Sequence, residues 1–224
     1  MVVKASVVGR DGRVSPSNRI TVGGIGLGGR GQGELCGWVL PDDGVQFVAI
    51  CDVRRDRRNA IKRIVDNHYH NTDCVMSRDM KDILARPDID AVLIATSDRW
   101  HASASVLAMR AGKDVYCEKP SSMTVREGQA VVRTAKKYGR VYQAGMQRLS
   151  EANFIVCNEL LRLGRLGEVK QVYAHLAPGG TVNLQRKWFP AQPEPDRDEV
   201  DWDAWLGPCP WRPYNVDYIR GGWH

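Results

Sequence analysis

The chain has 224 residues, of which 43% are hydrophobic and 26% charged, and its formal net charge is +6. These proportions exclude disordered, collagenous and coiled-coil classes, and at about 150 residues per domain the length amounts to one domain and part of a second. The positive charge does not point to nucleic acid: the densest basic run, Arg54, Arg55, Arg57 and Arg58, is interleaved with Asp52 and Asp56 and reads as a solvated helix start rather than a stripe that tracks phosphates.

Residues 1–18 read as a flexible leader ending in Ser15-Pro16-Ser17-Asn18, without the apolar core of a signal peptide. No stretch approaches the ~20 apolar residues that a membrane helix needs, so neither membrane nor nucleic acid is an expected partner. Residues 20–26 (ITVGGIG) read as a strand and residues 29–40 as a helix stopped by Pro41. Residues 45–51 (VQFVAIC) are a continuous apolar run, as a strand buried on both faces requires. A helix over 56–67 follows, then Ser77 is placed to cap a helix that runs to Arg86. Residues 91–95 (AVLIA) form the next buried strand. A helix over 100–111 ends at Gly112, and a strand covers 114–117. Thr124 and Glu127 make a capping box for a helix that reaches Gly139. A strand at 141–145 and a helix at 151–163, ended by Gly164, complete the regular pattern.

Strands alternating with helices, the strands apolar throughout, predict an α/β fold with a doubly wound parallel sheet. Residues 19–150 account for one such domain of dinucleotide-binding size. Beyond it, residues 168–177 read as one long strand, and from residue 178 the chain is rich in Pro, Trp, Arg and Asp without periodicity. Residues 151–224 therefore read as an incomplete second domain. The six cysteines show no C-x-x-C spacing, which fits reduced thiols and no zinc site. His68 and His70 look like a metal pair, but no third ligand is evident and no metal is expected.

Gly26-Leu27-Gly28-Gly29-Arg30-Gly31 fits G-x-G-x-x-G between a strand and a helix. Gly26 permits the tight turn, Gly28 lets the backbone approach a pyrophosphate, and Gly31 lets the helix pack on the sheet. An overlapping match on Gly24, Gly26 and Gly29 exists, but only the later register puts its first glycine at the strand end. Asp52, directly after the second strand, is placed to accept hydrogen bonds from the adenosine ribose hydroxyls or to cap the next helix. Its charge favours NAD; Arg54 and Arg55 make NADP the alternative, since an arginine there can pair with the extra phosphate. In doubly wound sheets the ligand lies beyond the carboxyl ends of the strands. The polar residues gathered at those ends are Asp52, Thr96-Ser97-Asp98, Glu118-Lys119 and Gln147-Arg148. Lys119, held extended by Pro120 with a cis bond as one option, is the candidate acid–base group, against the plain reading of a surface lysine paired with Glu118. His101 could orient a nicotinamide or a substrate hydroxyl, or simply pack in the first turn of its helix.

IGLGGRG, the CDV after the second strand, SDRWH, AGKDVYCEKP and QAGMQ resemble the Gfo/Idh/MocA family of sugar and inositol dehydrogenases. Val200-Asp201-Trp202-Asp203-Ala204-Trp205-Leu206-Gly207-Pro208 and the later PWRPYN resemble a subgroup found in planctomycetes. The resemblance implies a Rossmann domain followed by the start of an α/β substrate domain with an open antiparallel sheet. It implies NAD, or NADP, held by Gly26, Gly28, Gly29, Arg30, Gly31, Asp52, Val53, Arg54, Thr96, Ser97, Trp100, His101, Glu118, Lys119 and Gln147. Lys119 and His101 are its catalytic candidates, acting on a sugar, cyclitol or related polyol. Trp188, Trp202, Trp205 and Trp211 either stack on sugar C–H faces or pack between domains. The subgroup usually has P-D-H-W-H where this chain has Ser97-Asp98-Arg99-Trp100-His101, and Q-Q-R-S where it has Gln147-Arg148-Leu149-Ser150. The family's catalytic Asp and His would lie past residue 224, so the resemblance implies a C-terminally truncated chain that forms a homo-oligomer at full length. Without an export signal the chain reads as cytoplasmic; an upstream twin-arginine signal, usual in the subgroup, would send it to the periplasm. The alternatives are an NAD-dependent glycoside hydrolase that oxidises its sugar transiently, and a non-catalytic dinucleotide-binding fragment.

Overall fold

A computed structural model describes residues 14–175 and 189–220. Six strands form one sheet: β1 (Ile20–Ile25), β2 (Val45–Cys51), β3 (Val75–Ser77), β4 (Ala91–Ile94), β5 (Asp114–Glu118) and β6 (Tyr142–Gly145). Every pairing is parallel, in the order β3-β2-β1-β4-β5-β6. The order reverses between β1 and β4, so the crevice for a ligand lies at the carboxyl ends of those two strands.

The apolar runs bury both faces, as a parallel sheet requires. Phe47 and Ile50 of β2 join Val22, Leu27 and Leu35 in one core with Ile61 and Val65. Ala49 and Cys51 turn to the other core, with Ile94, Ala104, Met109 and Val131. Burial of a side chain such as Phe47, 1% exposed, stabilises by about 1.5–3 kcal/mol. The first core lies under α1 (Gly29–Glu34) and α2 (Arg55–Tyr69), the second under α3 (Met80–Leu84), α4 (Asp98–Arg110) and α5 (Val125–Tyr138). α1 continues into one π turn, Leu35–Val39, before Pro41 stops it. The Thr124–Glu127 capping box forms in full, and Gly139 closes α5 at φ +60°.

Two expectations need correction. Ser77 ends β3 instead of capping a helix; Asp79 caps α3, accepting from the Lys81 N–H. The backbone can take β geometry at 75–77 because Cys51 and its neighbours in β2 offer a parallel edge. Of the strand expected over 168–177, residues 168–175 form none and pair with no strand of the sheet, and 176 and 177 lie outside the described residues. Accordingly no second, antiparallel sheet appears among the described residues.

The chain divides into two compact units. The first runs to Gly145 and also takes in Pro195–Trp211. That returning segment pairs with the loop after β2: Val200 bridges Arg54 antiparallel, Arg55 N donates to Glu199 O at 2.9 Å, and Asp201 N donates to Val53 O at 3.0 Å. It then forms α7 (Trp202–Leu206), capped by Asp201. The stacked Trp202 and Trp205 rings, 4.7 Å apart, thus belong to the first unit. The second unit holds α6 (Ala152–Arg162) and a separate pairing in which Phe189 N donates to the Tyr218 hydroxyl at 3.1 Å and Gln192 N to Tyr214 O at 2.9 Å. Trp188 lies outside the described residues. No described helix is long and apolar enough to cross a membrane.

Candidate functional site

The turn from β1 into α1 uses its glycines in two ways. Gly26 has φ +73°, and a Cβ there would stand 2.4 Å from Thr96 Cγ2 and 2.6 Å from Thr96 Cα. At Gly31 a Cβ would press on Leu27 Cδ2 at 3.0 Å and Ala95 Cβ at 3.1 Å, so α1 seats closely on the sheet. Gly28 and Gly29 face open space, with nothing within 4 Å of a Cβ. No side chain caps α1 at Gly28, which leaves first-turn amides for a ligand. Tight turn, open approach and close packing fall on Gly26, Gly28 and Gly31 respectively.

Asp52 follows β2, whose last carbonyl, on Cys51, accepts from Gly26 N at 2.8 Å and ties the two strand ends together. Asp52 is buried, and its Oδ1 accepts from Arg54 N at 2.9 Å. Oδ2 accepts no hydrogen bond from a described residue. Burial, opposed by that hydrogen bond and by Arg54 and Arg57, holds the carboxyl above the usual carboxylate range.

At the end of β5, Glu118 is buried; its Oε1 accepts from Arg30 Nε at 3.0 Å and its Oε2 from Lys119 N at 3.2 Å. Arg30 also pairs with the buried Glu34. Arg30 was expected among the residues that hold the dinucleotide; its guanidinium pairs with two buried carboxylates, Glu34 and Glu118. This leaves Lys119 exposed, ion-paired to no described residue, and followed by a cis bond to Pro120.

His101 requires correction as a catalytic group. The ring is 1% exposed, with Nδ1 2.7 Å from Pro120 O and Nε2 3.1 Å from Thr96 O. Both nitrogens face backbone carbonyls, and a neutral ring, with its single N–H, donates to one of them. The ring instead clasps the loop after β4 to the loop after β5. Trp100 Nε1 donates to Ala204 O at 2.8 Å, and its ring fills the space above Gly207. Arg99 lies 3.9 Å from the Trp205 ring centroid and donates to the Trp205 and Leu206 carbonyls. Thr96 and Ser97 stay at the end of β4, Thr96 against Gly26 and Ser97 at the start of α4. Val53 and Arg54 give their backbones to the returning segment. Gln147 falls in a 3-10 turn, Gln147–Ser150, of the second unit.

The basic run after β2 is not a solvated helix start. Arg55 pairs with Asp198 and Glu199, and Arg58 with Asp198. Sequence reasoning missed these acids and Glu34. A signal was present in the alternation Asp196-Arg197-Asp198-Glu199-Val200-Asp201, whose charge complements the arginines. Among the described residues no three His, Cys, Asp or Glu side chains gather as metal ligands.

A family model described as the oxidoreductase family with an NAD-binding Rossmann fold, Gfo/Idh/MocA, matches residues 20–146. The chain belongs to the Gfo/Idh/MocA family. Inositol 2-dehydrogenase of Salmonella typhimurium is 28% identical over 166 residues, which are 73% of this chain and 47% of that protein. A glycosyl hydrolase family 109 protein of Saccharopolyspora erythraea is 36% identical over 124 residues, 54% of this chain and 27% of that protein. The WlbA dehydrogenase of Bordetella pertussis, solved with NADH and UDP-GlcNAcA, superposes with a TM-score of 0.59 at 22% identity, covering 66% of this chain and 43% of that one. At that identity it shows the fold alone. The chain thus spans less than half the length of these relatives. NAD is the family's cofactor, and the open arc at Gly28 and Gly29 with a carboxylate at the end of β2 fits a dinucleotide in this Gfo/Idh/MocA chain.

Proposed function

We propose that this chain carries the dinucleotide-binding half of an NAD(P)-dependent oxidoreductase that acts on a CH–OH group of a sugar, cyclitol or related polyol. The observation that carries the reading is the Arg30–Glu118 hydrogen bond, 3.0 Å. It joins the glycine turn to the strand end that bears Lys119, so a dinucleotide-sized cradle and an exposed amine share one rim. NAD bound there supplies the hydride acceptor. Asp52 holds the adenosine ribose hydroxyls, and the glycine turn takes the pyrophosphate. Lys119 polarises the reacting hydroxyl and takes its proton. His101 fixes Lys119 from behind by holding the Pro120 carbonyl. The inositol dehydrogenases among the relatives favour a cyclitol. The same reading has the protein work as a homo-oligomer; apolar side chains exposed on α6, among them Ile155, Val156 and Leu161, support a covered surface.

Replacing Lys119 by Ala tests the reading. NADH titration should be unchanged, while polyol-dependent NADH formation by the full-length protein should fall by about 10²–10⁴-fold. Turnover that survives the substitution overturns the role. The 36%-identical glycosyl hydrolase family 109 relative favours one second reading, in which the sugar is oxidised, loses its aglycone and is reduced again. Aglycone release without net NADH distinguishes it.

A further inference from the structure

Arginines just after β2 are where a Rossmann fold accommodates the extra phosphate of NADP. This chain has four in that stretch; Arg54, Arg55 and Arg58 are each held by a carboxylate, and Arg57 lies in the field of Asp52 and Asp56. Arg54 grips Asp56 with two parallel bonds, Nε to Oδ1 at 3.0 Å and Nη2 to Oδ2 at 2.6 Å. Arg55 donates from Nε to Asp198 Oδ2 at 2.8 Å and also pairs with Glu199. Arg58 donates from Nη2 to Asp198 Oδ1 at 2.9 Å and from Nη1 to Asp52 O at 2.8 Å. Asp198 and Glu199 are not local to the loop. They arrive 143 and 144 residues later in the chain, on a segment whose backbone is itself paired to Val53, Arg54 and Arg55.

We propose that the returning segment sets the choice of coenzyme: Asp198 and Glu199 occupy the Arg55 and Arg58 guanidiniums that would otherwise receive an adenosine 2′-phosphate, and place their own negative charge on that rim, so the site takes NAD and rejects NADP. This rests on the dinucleotide reading above and adds the residues that discriminate. The physical ground is competition. A guanidinium fork fits a carboxylate and a phosphate equally well. Two cations facing two anions leave no net attraction for a dianionic phosphate, and Asp52 on the same loop repels it further. Asp198 stays ionised well into acid, because its hydrogen bond to Arg55 holds it below the usual carboxylate range. Asp198 and Glu199 act through Arg55 and are positioning residues; neither needs to touch the coenzyme.

The test is titration of the full-length protein with NADH and with NADPH, followed by nicotinamide fluorescence. The wild-type protein should bind NADH more tightly. Asp198→Asn with Glu199→Gln should raise NADPH affinity about tenfold, the worth of one charged hydrogen bond, and leave NADH affinity nearly unchanged. Adding Arg55→Ala to that variant should remove the gain, which loss of structure alone would not do selectively for one coenzyme. Glu199→Gln alone, on a half-exposed side chain, gives the same direction at smaller size if the double variant does not fold. An unchanged NADH-to-NADPH ratio in folded variants, or a wild-type preference for NADPH, overturns this inference and leaves the dinucleotide reading standing. A wild-type protein that binds neither coenzyme overturns both.

Discussion

Gly26 and Thr96 approach so closely that no side chain fits between them: a Cβ on Gly26 would stand 2.4 Å from Thr96 Cγ2 and 2.8 Å from Thr96 N. The φ of +73° adds backbone strain for any other residue. Gly26→Ala should therefore cost about 2–4 kcal/mol in urea unfolding. Gly28 offers the contrast, with φ −66° and open space around it. Gly28→Ala should leave stability within about 0.5 kcal/mol and weaken NADH binding at least about tenfold, because the methyl takes the room of the pyrophosphate. Equal losses of stability in the two variants would show that the turn is structural throughout.

Asp52 sets stability against binding. Burial holds its carboxyl above the usual range, so in the folded chain the ionised form is the costly one. The cost is absent below the unfolded carboxylate pKa of about 3.9 and develops as pH rises through the higher folded value. Asp52→Asn keeps the acceptor for Arg54 N and removes the charge. Its urea midpoint should exceed that of the wild type at pH 7, and the gain should shrink toward pH 4. NADH affinity should fall in the same variant. A lower midpoint at pH 7 would mean that Arg54 and Arg57 outweigh the burial.

The cysteines report on the core. Burial pushes the Cys74 thiol up to about 12 and Cys117 up to about 11, and raises Cys51 as well. Only thiolate is alkylated, so all three stay protonated and shielded at pH 8. Cys36 and Cys157 are exposed. Iodoacetamide at pH 8 should label Cys36 and Cys157 first, by peptide mass spectrometry, with Cys51, Cys74 and Cys117 protected until denaturant is added. Labelling of Cys117 as fast as Cys36 would contradict the packing around β5.

Most of the sheet was readable because β1, β2 and β4 are apolar runs closed by a glycine or a polar cluster, and those are local signals. β2 was read at its observed limits, Val45–Cys51, and the Thr124–Glu127 box marked the start of α5. The short β3 was not readable: Val75, Met76 and Ser77 are too few to show a period, and pairing with β2 decides their geometry. At the site, Gly26, Gly28 and Gly31 carry meaning in their spacing, whereas Arg30 does not. Its place in the motif suggests the dinucleotide, and the buried Glu34 and Glu118 pair with it. His101 failed for a similar reason. A histidine at the head of α4 looks available until the Thr96 and Pro120 carbonyls, from two other loops, take both ring nitrogens. Ion pairs and clasps between distant segments leave no periodic trace, so only complementary charge hints at them.

The pairing of the β2 loop with Pro195–Trp211 also bears on how the molecule is made. On the ribosome, all six strands emerge before residue 195 does, and the sheet can assemble while Arg55 and Arg58 still face water. Their carboxylates arrive only after the second unit's leading portion has been synthesised, and closing a loop of that length is an entropic cost met late. Coenzyme present at that stage meets a loop whose Arg55 and Arg58 still lack their carboxylate partners. The nascent sheet and the finished protein would then differ in the nucleotide they prefer, although their strands are the same.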